Sequence, residues 1–224
     1  MASRLRESPQ ATHGVRKGIA QDMVKSVLDY IKILERMDFC DIIVSLKASD
    51  VRSTIGAYKL FSRKSKYPLH LGITAAGPVS TGIVKSSIGI GALLLEGIGD
   101  TIRVSLTGDP AEEVIAAKNI LQALELRNFG PEIISCPTCG RCQVDLKNIV
   151  KEIERRLSVS GYRLAAGNSF KIAVMGCEVN GPGEAKEADV GIACGKNSGV
   201  IFKKGRIVKR VKEKDMVKEL LKNI

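Results

Sequence analysis

Two short stretches of the sequence carry most of the residues whose types and spacing could do chemistry. The first holds three cysteines, Cys136, Cys139 and Cys142, at C-x-x-C-x-x-C spacing. The second holds Cys177 and Glu184 in a loop rich in glycine and proline. Clustered thiolates bind metal or pair as disulfides, and cysteines separated by two intervening residues are typical of iron–sulfur ligands. We therefore interpret the two stretches together as an iron–sulfur site.

Disulfides and zinc are the two alternative roles for these cysteines. Disulfides belong to oxidising compartments; the sequence shows no apolar leader and no transmembrane run, so we expect a cytoplasmic protein with reduced thiols. Zinc is the stronger alternative, because Cys136, Cys139 and two of the remaining thiols could form a tetrahedral site, and spacing alone does not exclude it. Cys40 and Cys194 stand alone in the sequence, and we expect each to be a small buried apolar residue.

The composition indicates an acidic partner or substrate. The 224 residues carry a formal net charge of +11, and the segment from Lys203 to Ile224 has nine basic and three acidic residues. Aromatic residues make up 4% of the sequence and tryptophan is absent, so the stacking partners that nucleic-acid binding requires are missing. We expect a phosphorylated small molecule or an acidic redox protein as partner, and neither nucleic acid nor a membrane.

The first half of the sequence predicts a helix followed by three strand–helix units. Residues 1–19 lack an apolar period and are expected to be poorly ordered, whereas apolar residues recur at helical spacing over 20–39. Strands are predicted at 41–46, 69–73 and 101–106, and helices at 51–60, 82–96 and 110–124. Strands that alternate with helices indicate a parallel sheet with crossover helices.

Polar residues occur where these strands end, which is where ligands bind in parallel α/β folds. The polar residues at these ends are Lys47, Ser49, Asp50, Thr74, Arg103, Ser105 and Thr107. Arg103 and Ser105 are two residues apart and share one face of their strand, and an arginine that points inward near a barrel mouth needs an anion. The alternative is a surface arginine on an edge strand. His70 is compatible both with a hydrogen-bonded core histidine and with a ligand contact.

A boundary near residues 127–131 separates a second α/β segment over residues 130–224. Its predicted strands are 132–135, 171–175 and 189–193, its predicted helices are 144–157 and 214–223, and a hairpin joins 200–202 to 207–209. Both cysteine stretches come directly after a predicted strand. A strand end gives the rigid support that a metal centre requires.

Six motifs carry a family resemblance. They are S-L-K-A-S-D-V (45–51), H-L-G-I-T (70–74), K-S-S-I-G-I-G (85–91), R-V-S-L-T (103–107), C-P-T-C-G-R (136–141) and M-G-C with N-G-P-G-E-A (175–185). Together they resemble the hydroxymethylbutenyl diphosphate synthase family of the methylerythritol phosphate route to isoprenoids. The resemblance extends from about Ala20 to the C-terminus, and the cysteine and N-G-P-G-E motifs are highly specific in combination.

The resemblance implies a fold and a cofactor. The fold is the C-terminal part of a TIM barrel over residues 20–127, followed over 130–224 by a small α/β domain of the nitrite and sulfite reductase type that carries a [4Fe–4S] cluster. The implied ligands are Cys136, Cys139, Cys177 and Glu184, with Cys142 outside the matched set. Glu184 is also the implied catalytic residue, because a carboxylate is a weaker iron ligand that substrate oxygen could displace.

The resemblance also implies a reaction and partners. The substrate is methylerythritol cyclodiphosphate, which two electrons from ferredoxin or flavodoxin convert to the linear allylic diphosphate. Lys47, Thr74, Arg103 and Ser105 match the family's contacts to substrate and diphosphate. The family works as a head-to-tail homodimer in which each barrel is capped by the cluster domain of the other subunit.

Two departures from the family bear on activity. The family has a glutamate after the matching threonine, where this chain has Ala75. The sequence also predicts about three strand–helix units, whereas a complete barrel has eight. We therefore expect the C-terminal portion of such an enzyme, an incomplete copy or a chain that a second chain complements. The alternative function is a non-catalytic iron–sulfur or zinc-binding module.

Overall fold

A computed structural model of the chain describes residues 13–159, 170–177 and 186–224. The chain divides into two compact units, of which the first ends at Leu126 and the second begins at Arg127. In the described part of the chain, no helix combines the length and the apolar character needed to cross a membrane.

Helices and short parallel strands alternate in the first unit. Its elements are α1 (His13–Arg36), α2 (Val51–Ser62), β1 (His70–Leu71), α3 (Val79–Leu94), β2 (Thr101–Ile102) and α4 (Pro110–Ala123). Asp50 caps α2 by accepting a hydrogen bond from the Ser53 amide at 2.8 Å, and Asp109 caps α4 just before Pro110.

The first helix begins earlier than the sequence pattern predicts. It starts at His13 rather than at Ala20, which includes residues 13–19 in α1. Once a helix has nucleated, each added residue contributes one backbone hydrogen bond at little further cost. An apolar stripe that begins at residue 20 therefore does not mark the first residue of the helix.

The strand predicted at residues 41–46 forms only an isolated parallel bridge, between Val44 and Leu69. The reason is the hydroxyl of Tyr58, which lies between the two chain segments. It accepts a hydrogen bond from the Leu46 amide at 3.0 Å and donates one to the His70 carbonyl at 2.5 Å. Those two backbone groups would pair directly in a continuous parallel ladder, so the buried hydroxyl replaces one ladder bond with two.

The next two strands pair as the alternation of strands and helices predicts. β1 and β2 are parallel, with His70 opposite Thr101 and Leu71 opposite Ile102. One face of these segments is buried: Val44, Leu46, Leu71 and Val104 belong to a core cluster that includes Tyr58 and Phe61 of α2 and Ile90 and Leu93 of α3. Successive side chains alternate between faces, so the residues between these apolar positions lie on the opposite, polar face.

The second unit contains a mixed sheet. Its elements are β3 (Glu132–Ser135), α5 (Leu146–Val159), β4 (Lys171–Met175), β5 (Val190–Gly195), β6 (Ser198–Lys203), β7 (Arg206–Lys212), a 3-10 turn (Glu213–Asp215) and α6 (Met216–Leu221). Among the described residues the five strands lie in the order β3-β4-β5-β6-β7. The first three are parallel, and β6 and β7 are antiparallel to their neighbours.

Two tight turns complete this sheet. The predicted hairpin between β6 and β7 is present, and Lys204 and Gly205 at its tip have positive φ values of 44° and 73°. A second hairpin, which the sequence pattern did not indicate, joins β5 to β6 around Asn197 with φ of 62°. Leu146 and Ile153 of α5 pack against alternate residues of β4 and β5, which gives the strands a rigid core.

Candidate functional site

The two cysteine stretches of the second unit lie at the same edge of its sheet. Cys136 follows the last residue of β3, and Cys177 follows β4 after Gly176. β3 and β4 are parallel neighbours with Ser135 opposite Val174. Parallel strands end at the same edge, so two stretches that are about 40 residues apart in the sequence become adjacent.

Gly176 is the point at which the two stretches touch. Its amide donates a hydrogen bond to Sγ of Cys136 at 3.2 Å, and its carbonyl accepts one from the Gln143 amide at 3.4 Å. The loop that carries the first three cysteines therefore folds over Gly176. Backbone N–H groups that point at cysteine sulfur stabilise thiolate charge and tune the potential of iron–sulfur centres.

Cys142, which spacing alone suggested as a ligand, has a packing role in this loop. Its thiol donates a hydrogen bond to the Val144 carbonyl at 3.3 Å. Its sulfur also occupies the space beside Gly176, where a Cβ would lie only 2.6 Å from Sγ of Cys142. The sequence offers no signal for this contact except the presence of glycine immediately before Cys177.

The predicted ligands are only partly brought together. Among the described residues, no three cysteine, histidine, aspartate or glutamate side chains form a group that could hold a metal ion. Cys136 and Cys177 are half-buried and Cys139 is exposed, while Glu184 lies outside the described residues. The soft sulfur donors on two adjacent loops nevertheless fit an iron–sulfur centre in chemistry.

The two isolated cysteines differ from each other. Cys194 is buried in β5 within the core of the second unit, as predicted for a small apolar residue. Cys40 is exposed, so the prediction that it is buried is wrong. It follows the end of α1, where the chain leaves the helix and no core covers it.

The first unit brings two predicted cations together beside Gly72. A Cβ at Gly72 would lie 2.8 Å from the carbonyl oxygen of Arg103 and 3.2 Å from Cε of Lys47, so the lysine stem crosses the backbone at this glycine. Burial lowers the pKa of Lys47, and the nearby Arg103 guanidinium lowers it further. Lys47 is half-buried and Arg103 is exposed, and two neighbouring cations of this kind are suited to an anion.

His70 belongs to the same polar face. Its Nδ1 lies 2.8 Å from the hydroxyl oxygen of Thr101 on the neighbouring strand. Burial lowers the pKa of His70, with further lowering by Lys47 and Arg103. The ring is therefore neutral near pH 7, and it is held by a side-chain hydrogen bond next to the cation pair.

The other two predicted substrate contacts follow the same strands. Thr74 is exposed and its amide donates to the Ala48 carbonyl at 3.1 Å, while Ser105 is half-buried two residues beyond Arg103. Thr74 follows β1 and Ser105 follows β2, so both lie beyond the strands on the segments that continue from them. Ala75, which replaces the family glutamate, has the left-handed backbone value φ of 52°.

Two residues that support this face were not found from the sequence. Tyr58 separates the strand segments, and the buried Thr54 hydroxyl accepts from the Ala48 amide at 3.1 Å while lying 2.9 Å from the Asp50 carbonyl. Thr54 thus holds the loop that follows Lys47. The sequence does contain a signal that could have identified them. Both are polar side chains on the core-facing side of α2, where apolar residues are the rule.

Fold and site define a class: an α/β protein with a cationic face at the ends of parallel strands and a separate unit that presents clustered thiols. Residues 5–118 match the family model described as the GcpE TIM-barrel domain, and residues 132–224 match the GcpE protein C-terminal domain. The chain belongs to the GcpE family, and the family predicted from the six motifs is confirmed.

Proteins of several bacteria are similar to this chain in sequence. The chain is 57% identical over 202 residues to a protein of Clostridium perfringens, 58% over 202 residues to one of Thermodesulfovibrio yellowstonii and 54% over 202 residues to one of Fusobacterium nucleatum. Each is named 4-hydroxy-3-methylbut-2-en-1-yl diphosphate synthase (flavodoxin). Each alignment covers 90% of this chain and 55–56% of the relative, so the chain spans a little over half the length of the relatives it matches.

Proposed function

We propose that the chain supplies the iron–sulfur centre and part of the anion site of an enzyme that reduces methylerythritol cyclodiphosphate to hydroxymethylbutenyl diphosphate. The reaction consumes two electrons and two protons, breaks the C–O bond that closes the ring, and releases one hydroxyl group as water. A bound [4Fe–4S] cluster supplies single-electron transfer. Flavodoxin, printed in the names of the relatives, is the proposed donor, and ferredoxin is the alternative.

The observation that carries this proposal is the meeting of the two cysteine stretches at Gly176. We assign Cys136, Cys139 and Cys177 as the thiolate ligands and Glu184 as the exchangeable fourth ligand and catalytic residue. The same thiols could also bind zinc, so the identity of the bound metal has to be determined. The family match favours iron, since both halves of the chain match one family's domains in order.

We assign the anion site of the first unit to the diphosphate. Lys47 and Arg103 bind phosphate oxygens, while the hydroxyls of Thr74 and Ser105 donate hydrogen bonds to them. A bound diphosphate offsets the repulsion between the two cations, so it raises the lowered pKa of Lys47 again. The neutral His70 beside them adds no further positive charge to the site.

The remaining features follow from family membership. We propose that residues 20–127 form part of a barrel and that residues 130–224 form the cluster domain, of the nitrite and sulfite reductase type. We further propose a cytoplasmic enzyme that completes its active site as a head-to-tail homodimer or with a complementing chain.

A second candidate function is a non-catalytic iron–sulfur module, which is favoured by Ala75 in place of the family glutamate. Such a module would bind the cluster and accept electrons without converting the cyclodiphosphate. Product analysis after incubation with substrate and reduced flavodoxin distinguishes the two functions.

Anaerobic reconstitution with iron and sulfide tests the cluster assignment. We expect close to four irons per chain and a visible absorption shoulder that dithionite bleaches. Cys136→Ser, Cys139→Ser and Cys177→Ser should each lose most of the iron, and Glu184→Gln should keep it with a shifted spectrum. Cys40→Ser is the matched control, because its exposed thiol lies in the other unit. A colourless wild-type chain with stoichiometric zinc would overturn the assignment.

A further inference from the structure

Three cations surround an open cavity beside Cys177 in the second unit. The cavity has a volume of about 640 Å³, and its lining includes Cys177, Gln143, Ser198 and the basic residues Arg141, Lys196 and Arg210. We call these three basic residues the cationic rim. No carboxylate belongs to the lining of this cavity among the residues that the structure describes.

The topology of the sheet explains why the cationic rim forms. Arg141 lies in the loop after β3, and Lys196 lies in the turn after β5. The strands β3, β4 and β5 are parallel, so these two segments lie at the same edge of the sheet. Arg210 lies in β7 opposite Val200 of β6, toward the open end of this hairpin, where the turn between β5 and β6 also lies. Three positions far apart in sequence thus converge on the edge that carries Cys177.

The exposure of the cationic rim indicates which kind of anion it serves. Arg141, Lys196 and Arg210 are all solvent-exposed. Lys47 in the first unit, by contrast, is half-buried and has a pKa lowered by burial. Exposed cations on separate elements are screened by water, so they hold a small anion weakly. They are suited to steer and orient a large partner whose surface is acidic.

We propose that the cationic rim is the docking site for an acidic single-electron carrier of the flavodoxin class. This inference rests on the proposed function, because it assigns the electron entry side of the same centre. Cys177 lies in the wall of the cavity, so a carrier seated there places its redox group next to a proposed cluster ligand. Each docking event oxidises the carrier by one electron and reduces the centre by one, and two such events supply one turnover.

Charge reversal tests the docking site. The double variant Lys196→Glu with Arg210→Glu changes the rim and leaves the loop of ligand cysteines untouched. The matched control, Lys203→Glu with Arg206→Glu, makes the same charge change on exposed residues at the other end of β6 and β7. Binding of a purified clostridial flavodoxin is measured by interferometry at low and high salt, after circular dichroism has verified folding.

We expect wild type to bind flavodoxin with an affinity that falls with salt, and the rim variant to bind about tenfold more weakly or worse. The control pair should remain within about twofold of wild type, because its charges lie away from the cavity. Absence of wild-type binding, or equal losses in both double variants, would overturn the docking site. Loss of inorganic pyrophosphate binding without loss of flavodoxin binding would identify a small-anion site and overturn it as well.

A kinetic measurement separates this inference from the proposed function. The ratio of the reduction rate with flavodoxin to that with reduced methyl viologen should fall about tenfold in the rim variant, since the small cationic dye has no acidic surface to dock. Should the chain hold no reducible centre, the proposed function fails while the binding measurement still decides whether the rim docks an acidic carrier. An unchanged rate ratio with a reducible centre would contradict the docking site alone.

Discussion

The contact between Gly176 and Cys142 provides the sharpest test of the cysteine loop. Gly176 is buried and does not have a positive φ, so alanine is acceptable to the backbone there. The obstacle is space, because the new Cβ would lie 2.6 Å from Sγ of Cys142 and 3.3 Å from its Cβ. Gly176→Ala therefore tests packing against one sulfur atom rather than backbone strain.

The expected energies follow from that single contact. Overpacking a tight site costs about 1–3 kcal/mol, and we expect Gly176→Ala to fall in this range. Cys142→Ala removes the sulfur and its hydrogen bond to the Val144 carbonyl, at a cost of about 1 kcal/mol. In the double variant the nearest contact of the new Cβ is 3.3 Å, so about 1–2 kcal/mol of the Gly176→Ala cost should be recovered.

Urea unfolding of the four proteins under anaerobic, reducing conditions measures this coupling, with circular dichroism as the signal. Iron content after reconstitution is measured on the same samples. We expect Cys142→Ala to keep most of its iron, because Cys142 has a packing role, whereas Cys136→Ala should lose it. Leu146 lies 3.5 Å from the same Cβ position, so the core of α5 should not clash in any variant.

Two results would refute this reasoning. Additive effects of the two substitutions would mean that the sulfur does not limit the space at Gly176. Loss of iron in Cys142→Ala comparable to that in Cys136→Ala would make Cys142 a ligand and contradict the assignment that follows from the family.

Two further predictions concern the framework. Tyr58→Phe leaves the Leu46 amide and the His70 carbonyl without their shared hydroxyl, so the free energy of unfolding should fall by about 1–3 kcal/mol in urea titrations; unchanged stability would mean that the strands close and pair directly. Hydrogen bonds from two lysines lower the pKa of Glu219 from 4.5 to about 2. The charged Glu219 therefore stabilises the fold above its unfolded pKa, and this stabilisation is lost as the pH falls toward about 2. The difference in Tm between wild type and Glu219→Gln should shrink over this pH range and vanish below it. A Tm difference that does not depend on pH would contradict this prediction.

The sequence by itself determined the features that depend on local periodicity and local capping. The strands Glu132–Ser135 and Lys171–Met175 have the predicted bounds. In Lys171–Met175 the reason is a continuous apolar run, which specifies a buried strand. The helix predicted to start at Pro110 does start there, since proline fits the first turn of a helix. The motifs also sufficed to predict the family.

The candidate site was predictable as a set of residues but not as an arrangement. Cysteine spacing identified the loop after β3, and strand ends identified Lys47 and Arg103. The closeness of Lys47 to Arg103 depends on Gly72, whose missing side chain lets the lysine stem cross the strand. Periodicity carries no information about such a contact, because it links three separate strand segments.

Tertiary structure alone decided the features that depend on contacts between distant segments. The Tyr58 hydroxyl interrupts a strand pairing that hydropathy predicts as continuous. Sγ of Cys142 faces Gly176, and the cationic rim assembles from a loop, a turn and a strand at one sheet edge. Sequence patterns report which face of an element is apolar, whereas these contacts are set by strand register and by the fit of individual atoms, which are fixed only when the sheet and its helices pack.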